Sequence, residues 1–257
     1  MGRYIVRRLI AAIPVLIGLS ILLFAYIRIL PGDPCVAILG QHRTPEACAA
    51  LRENLGLDLP LWEQYIRYLM NTLSGDLGAS VVNSQPFLAE FLTRFPGTVE
   101  LTIGALIFAL GAGIPLGRLA ARKVGGRIDG LIMRTTDVFL SIPSILLAIG
   151  IVTALGRGMV QLMFAIAVSY APTFARLLRG SLLALREADY VVAARTIGAS
   201  RMRILVRHML PNALTPLIVQ ATLVLATAII DIAGLGFLGL GPADPRTPEW
   251  GTMLVDA

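Results

Sequence analysis

Five stretches of this chain run for 17 to 22 residues without an Asp, Glu, Lys or Arg: Leu9–Ile27, Leu101–Gly117, Val138–Gly156, Gly158–Ala175 and Met209–Ile230. No other feature limits the fold as tightly. A helix rises 1.5 Å per residue, so about 20 apolar residues cross the hydrocarbon layer of a bilayer. A helix buried in a water-soluble core is usually shorter, and five such runs in 257 residues are more than that reading accommodates. Charged residues make up 15% of the chain, against about 25% in soluble domains. Lipid supplies no hydrogen-bonding partner for the backbone, so each run is expected to be helical. The expected fold class is therefore an all-α integral membrane protein with five spans. Pro14, Pro115 and Pro143 lie inside or at the edge of these runs, where membrane helices tolerate proline and kink at it. The first run follows Arg3, Arg7 and Arg8, as a secretory signal would. It is longer than the usual apolar signal core, and no small-x-small site follows it before Pro31, so it reads as a retained helix.

The arginines set an orientation. With the N-terminus inside and the sides alternating, the inside segments hold 15 of the 22 basic residues but only 4 of the 16 acidic ones. Positive loops stay cytoplasmic, so the N-terminus is expected inside and the basic balance is a topology signal. A nucleic-acid footprint is the other reading of such a balance. It is set aside because the arginines alternate with membrane spans. The organisation that follows is a first membrane helix at 1–30, an extracytoplasmic segment at 31–97, and a core at 98–257 with a cytoplasmic loop at 176–211. Cys35 and Cys48 fall outside by this count, where disulfides persist, and a bridge or two unpaired thiols both fit the sequence.

In the outer segment, Pro31-Gly32-Asp33-Pro34 stops the first helix. Thr44 is a plausible N-cap for a helix that opens at Pro45, reaches about Asn54 and stops at Gly56. Leu61–Leu73 reads as a second short helix, with Trp62, Tyr65, Ile66 and Leu69 at helical spacing. It either lies on the membrane surface or packs against the membrane helices, and packing is the favoured expectation. In the inner loop, Leu182–Ile197 reads as one helix ending at Gly198, and Arg201–Met209 as a second short helix before Pro211 opens the last span. Two short helices broken at a glycine can fill a partner's groove or lie on anionic lipid, and the residues alone leave both open.

Catalytic patterns are missing from the sequence. The only lysine, Lys123, is followed by Val124, so no Walker A motif is present. His42 and His208 are far apart, and no zinc spacing or nucleophile elbow occurs. Asp137 and Asp231 lie at the ends of spans. Ion-coupled transporters place ionisable groups mid-membrane, so this scarcity argues against an ion-coupled carrier. A non-transporting scaffold is the remaining reading from another class.

The inner loop decides among these. Arg186–Ile218 reads READYVVAARTIGASRMRILVRHMLPNALTPLI. It resembles the cytoplasmic signature loop of ABC importer permeases, with Ala193, Ala194, Gly198, Leu210 and Pro211 at the expected offsets and Val192 where an acid is common. The remaining chain is similar to the dipeptide/oligopeptide/nickel importer group. RYIVRRLIAAIPVLIGLSILLFAYIRILPGDP and FPGTVELTIGALIFALGAGIPLG look like the first permease subunit. RIDGLIMRTTDVFLSIPSILLAI and GFLGLGPADPRTPEWGTML are closer to the second. The resemblance implies a type I ABC importer permease-like helical bundle in the cell inner membrane. It implies a transported peptide, with nickel or another small solute as the alternative. It also implies ATPase subunits that bind ATP and Mg, a second permease subunit and an extracytoplasmic substrate-binding protein as partners. No cofactor is expected in this chain. Val192, Ala193, Ala194, Arg195, Gly198, Ala199 and Ser200 are expected near the ATPase contact. Members usually have six spans, and five are expected here.

Overall fold

The computed structural model describes residues 2–29, 35, 44–54, 56–79, 85–122, 124–244 and 248–256. The Pro31–Pro34 turn, His42 and Lys123 lie outside them. The regular structure among the described residues is helical, apart from one isolated bridge between Ala79 and Pro86. They fall into two compact units, Met1–Leu88 and Ala89–Ala257.

The first unit contains α1 (Gly2–Ile29), α2 (Pro45–Asn54) and α3 (Leu61–Leu73). Pro45 opens α2 as expected, because its missing N–H costs nothing in a first turn. Aromatic side chains join α3 to α1. The Ser20 and Tyr65 hydroxyls are 2.8 Å apart, the Phe24 and Tyr65 rings meet edge-on at 5.4 Å, and Tyr68 lies 6.2 Å from Phe24. The expected packing of this short helix is thus made against the first membrane helix. Cys35 and Cys48 are joined in a disulfide, with their Cα atoms 5.4 Å apart.

The second unit is built on α4 (Phe87–Arg122), which begins at the close of the first. Then come α5 (Arg127–Leu140), α6 (Ser144–Leu155), α7 (Met159–Arg186) and α8 (Asp189–Thr196). α9 (Arg201–Arg203) leads through a π-helical turn (Ile204–Met209) into α10 (Leu210–Phe237), and α11 is Trp250–Asp256. Helices long and apolar enough to cross a membrane are α1, α4, α7 and the continuous Arg201–Phe237. The α5–α6 pair adds a fifth if its two halves count as one span.

At that pair the run expected to form one span at Val138–Gly156 is broken rather than only kinked. It bends by 95° between Leu140 and Ser144. Pro143 cannot donate to the helix ladder, and it pushes the preceding residue out of helical geometry. The inner loop departs twice. The helix expected at Leu182–Ile197 is two helices, broken at Glu187 and Ala188, where Ala188 has extended backbone (ψ 138°). The short helix expected at Arg201–Met209 is continuous with the span that follows. Pro211 removes an N–H and crowds the carbonyl four residues back; the wider π turn just before it absorbs the misfit.

Small residues let α4 approach α7 backbone to backbone. A Cβ on Gly113 would sit 2.7 Å from the Ala171 carbonyl oxygen, and one on Gly117 would sit 3.1 Å from the Ala175 Cα. The core divides into two apolar clusters. One holds Phe174, Leu178, Leu182, Val191, Ala194, Ile204, Met209 and Ala213, and the other holds Leu101, Ala148, Leu162, Ile166, Ala228 and Ile232. Tyr170 packs against both.

Polar contacts pin the two ends of the bundle. At one end the Arg179 guanidinium meets both Asp129 carboxylate oxygens at 2.7 Å, and Gly125 N–H donates to Asp129 at 2.9 Å. Arg186 donates to the carbonyl of Ala121 at the end of α4, and Arg176 pairs with Asp137. At the other end Arg157 donates to the Gly239 carbonyl at 2.9 Å. There Arg94 on α4 pairs with Glu90 at 2.8 Å and donates to the Thr252 hydroxyl at 2.7 Å. Trp250 donates its backbone N–H to the Thr98 hydroxyl at 3.0 Å and stacks on Phe91 at 4.6 Å. So α4 and α7 run one way and α10 the other, as alternating spans require.

Glu249, in the connection before α11, is 0% exposed. Burial pushes its carboxyl above the ordinary glutamate range. Hydrogen bonds from the Gly251 and Thr252 amides and the Arg94 charge oppose that rise.

Candidate functional site

The segment singled out in the sequence forms a rigid projection at the Arg179–Asp129 end. α8 starts after Ala188 and closes at Ile197, where the amide donates to the Ala193 carbonyl at 3.2 Å. Gly198 then takes φ +80°, the left-handed backbone that L side chains rarely adopt and glycine adopts freely. Its amide bonds the Arg195 carbonyl at 3.1 Å, and the Ala199 amide bonds Ala194 at 3.1 Å, so the turn satisfies carbonyls that the helix end leaves open. Ser200 caps the next helix by accepting from the Arg203 amide at 3.4 Å.

The helix has two faces. Val191 and Ala194, buried, point into the core cluster with Leu178, Leu182, Ile204 and Met209. Val192, Ala193, Arg195, Gly198 and Ser200 are exposed, and Ala199 is half-buried. The structure therefore brings six of the seven expected residues to or near the surface and turns Ala194 inward. Ile197 was missed by the sequence reading and is 84% exposed, the most exposed large apolar side chain among the described residues. It follows Ala193 by four residues, so helical phase places it on that residue's face; that signal was available in the sequence.

The arrangement carries no reacting group. Exposed apolar atoms on a short projecting helix, with its other face locked into a bundle, can receive a push and pass it on. Apolar residues that water would normally exclude from a surface suit burial against another protein. The Arg179–Asp129 and Arg176–Asp137 pairs join α5 to α7, the helix that leads into the projection.

Together, the apolar spans, alternating helices and projecting inner loop define a membrane permease with the type I importer fold. Residues 113–256 match the family described as binding-protein-dependent transport system inner membrane component, and residues 1–102 match the N-terminal part of such membrane components. The chain belongs to that family. Among its relatives, the dipeptide transport system permease protein DppC of Alkalihalophilus pseudofirmus is 43% identical, over 73% of this chain and 62% of that protein. The di/tripeptide transport system permease protein DppC of Pseudomonas aeruginosa is 46% identical, over 76% of this chain and 66% of that protein. The chain thus spans just under two thirds of the length of these two relatives. DppB, the dipeptide transport system permease protein of Escherichia coli K12, is 33% identical over 94% of this chain and 86% of that protein. Likeness to both subunit types agrees with the mixed resemblance read in the sequence. Among solved structures, an inward-facing MetNI methionine ABC transporter matches with TM-score 0.55 and 26% identity, over 62% of this chain and 79% of that one.

Proposed function

We propose that this chain is the transmembrane permease subunit of an ATP-driven importer of dipeptides and other short peptides. The observation that carries the reading is the projection at α8, whose outer face is apolar and whose inner face is locked into the bundle. Its partners are two ATPase subunits that bind ATP and Mg, a second permease and an extracytoplasmic binding protein. The N-terminus lies in the cytoplasm. The Cys35–Cys48 disulfide supports that orientation, because such bonds persist on the oxidising side of the membrane. α8 enters a cleft of the ATPase with Val192, Ala193 and Ile197 leading. ATP-driven closure of the ATPases shifts α8. Val191 and Ala194 transmit that movement to Ile204 and Met209 at the base of α10, which biases the bundle between two access states. The peptide names of the relatives supply the substrate class.

The test is co-purification of the assembled transporter from membranes, wild type against Gly198→Arg. ATPase subunits accompany the wild type and are lost from the variant, whose folding is checked by its elution and thermal stability. A folded variant that retains the ATPases as well as the wild type does would show that contact to lie elsewhere. Failure of the wild type to import any dipeptide would remove the substrate class.

A further inference from the structure

We propose that Asp231, with Tyr170 and Thr227, binds the α-ammonium group of the peptide on its way through the membrane; this rests on the reading of the chain as a peptide permease. Asp231 lies in the last two turns of the membrane-crossing helix, six residues before Phe237. Its Oδ2 accepts a hydrogen bond from the Tyr170 hydroxyl at 2.8 Å. No basic side chain pairs with it among the described residues. A membrane carboxylate without a cation is costly in contact with lipid and is placed toward a bundle interior or a water-filled path.

The surroundings fit such a path. Tyr170 packs against both core clusters, so it lies where they meet. Asp231 is half-buried, and Thr227, one turn back, is exposed. Thr227 precedes Asp231 by four residues on α10 and so shares its face of the helix. The broken helix reaches the same place, for Ser144 opens α6 and its carbonyl oxygen is 3.2 Å from the Ser169 hydroxyl. Irregular backbone at membrane depth is tolerated where protein covers it or where it lines a watery cavity. Carboxylate and phenol, 2.8 Å apart, form a polar pair between the apolar stretches of α7 and α10.

The chemistry selects an ammonium. It has three N–H donors, and the Asp231 carboxylate, the Tyr170 oxygen lone pairs and the Thr227 oxygen are acceptors. A hard metal ion needs more oxygens, including several carboxylates or carbonyls. An uncharged solute can hydrogen-bond the carboxylate but leaves its charge unpaired.

The experiment uses the complete transporter in proteoliposomes with its binding protein and radiolabelled alanyl-alanine. Asp231→Asn lowers uptake about tenfold or more, the factor expected when a charge-assisted hydrogen bond is replaced by a neutral one. Asp231→Glu recovers most of it. Assembly is checked for each by co-purification of the ATPases. In parallel, Asp231→Cys is treated with a hydrophilic thiol reagent. Both native cysteines are tied in the disulfide, so labelling reports position 231. Labelling is expected. Wild-type uptake by an assembled Asp231→Asn transporter overturns the proposal. So does an Asp231→Glu variant as impaired as Asp231→Asn, or a Cys at 231 that does not label. If the wild type imports no dipeptide while the Cys variant labels, the peptide reading and the ammonium assignment fall together, and a water-lined carboxylate for another solute is left.

Discussion

Arg179 holds Asp129 with two parallel hydrogen bonds, Nε to Oδ1 and Nη2 to Oδ2, each 2.7 Å. The pair fastens the start of α5 to the inner part of α7, directly behind the projecting α8. The Asp129 side chain is 5% exposed and that of Arg179 is 23% exposed. Removing one partner of a buried pair costs about 3–5 kcal/mol, and the partial exposure of Arg179 reduces that to roughly 2 kcal/mol. Asp129→Ala should therefore lower the thermal unfolding midpoint of the detergent-solubilised protein. Asp129→Leu with Arg179→Met should lie closer to wild type than either single change, because neither variant side chain leaves a charge stranded.

The seam between α4 and α7 gives a second expectation. Gly117→Ala places a methyl against the Ala175 backbone and Leu178, while Gly111 has nothing within 4 Å of an added Cβ. Gly117→Ala should cost about 1–3 kcal/mol through overpacking. Gly111→Ala should change stability by less than about 0.5 kcal/mol, or raise it slightly through helix propensity. Thermal melts of the two variants side by side decide it.

Ile197 separates docking from folding. It is 84% exposed, so Ile197→Glu should leave the thermal midpoint within experimental scatter. The same change places a charge on the apolar face of α8 and should strip ATPase subunits from the purified complex. Val191→Ala should do the reverse. It removes a fully buried side chain and lowers stability by about 1–3 kcal/mol, while leaving the outward face intact.

Glu249 predicts a pH dependence. Burial raises its carboxyl above the ordinary value of 4.5. The folded state then holds its proton to higher pH than the unfolded chain does, so stability falls as pH rises from about 4.5 through the folded value. Glu249→Gln should remove that slope. It retains one oxygen to accept from the Gly251 or Thr252 amide. The measurement is the thermal midpoint of both proteins across that range. A parallel slope in the variant would assign the dependence to another group.

Much of this architecture is legible in the sequence because lipid makes apolar length decisive. The runs at Leu9, Leu101, Gly158 and Met209 all became parts of long helices, and the bounds of α2 and α3 followed from Pro45, Gly56 and a short aromatic periodicity. Prolines were harder to read. Pro143 breaks a span by 95°, whereas Pro211 leaves a helix continuous through a π turn, and sequence gives both the same warning. In the inner loop, Gly198 was recognised because a left-handed turn has a strong residue preference. The orientation of Ala194 and Ile197 was not, because which side of α8 faces the bundle depends on Leu178, Leu182, Ile204 and Met209, distant in the chain. Asp231 read as a residue at the end of a span. Its pairing with Tyr170, 61 residues away, is tertiary and left no local trace.

The contact of Gly113 and Gly117 with Ala171 and Ala175 also decides how this bundle yields under load. Beside Gly113 and Gly117 lie the main chain of Ala171 and Ala175 and the Cβ atoms of Phe174 and Leu178, so the two helices touch at main-chain distance along the seam. Pulling the surfaces apart sacrifices close-packed contact all along it. The α4–α7 wall thus resists separation along the whole of that contact.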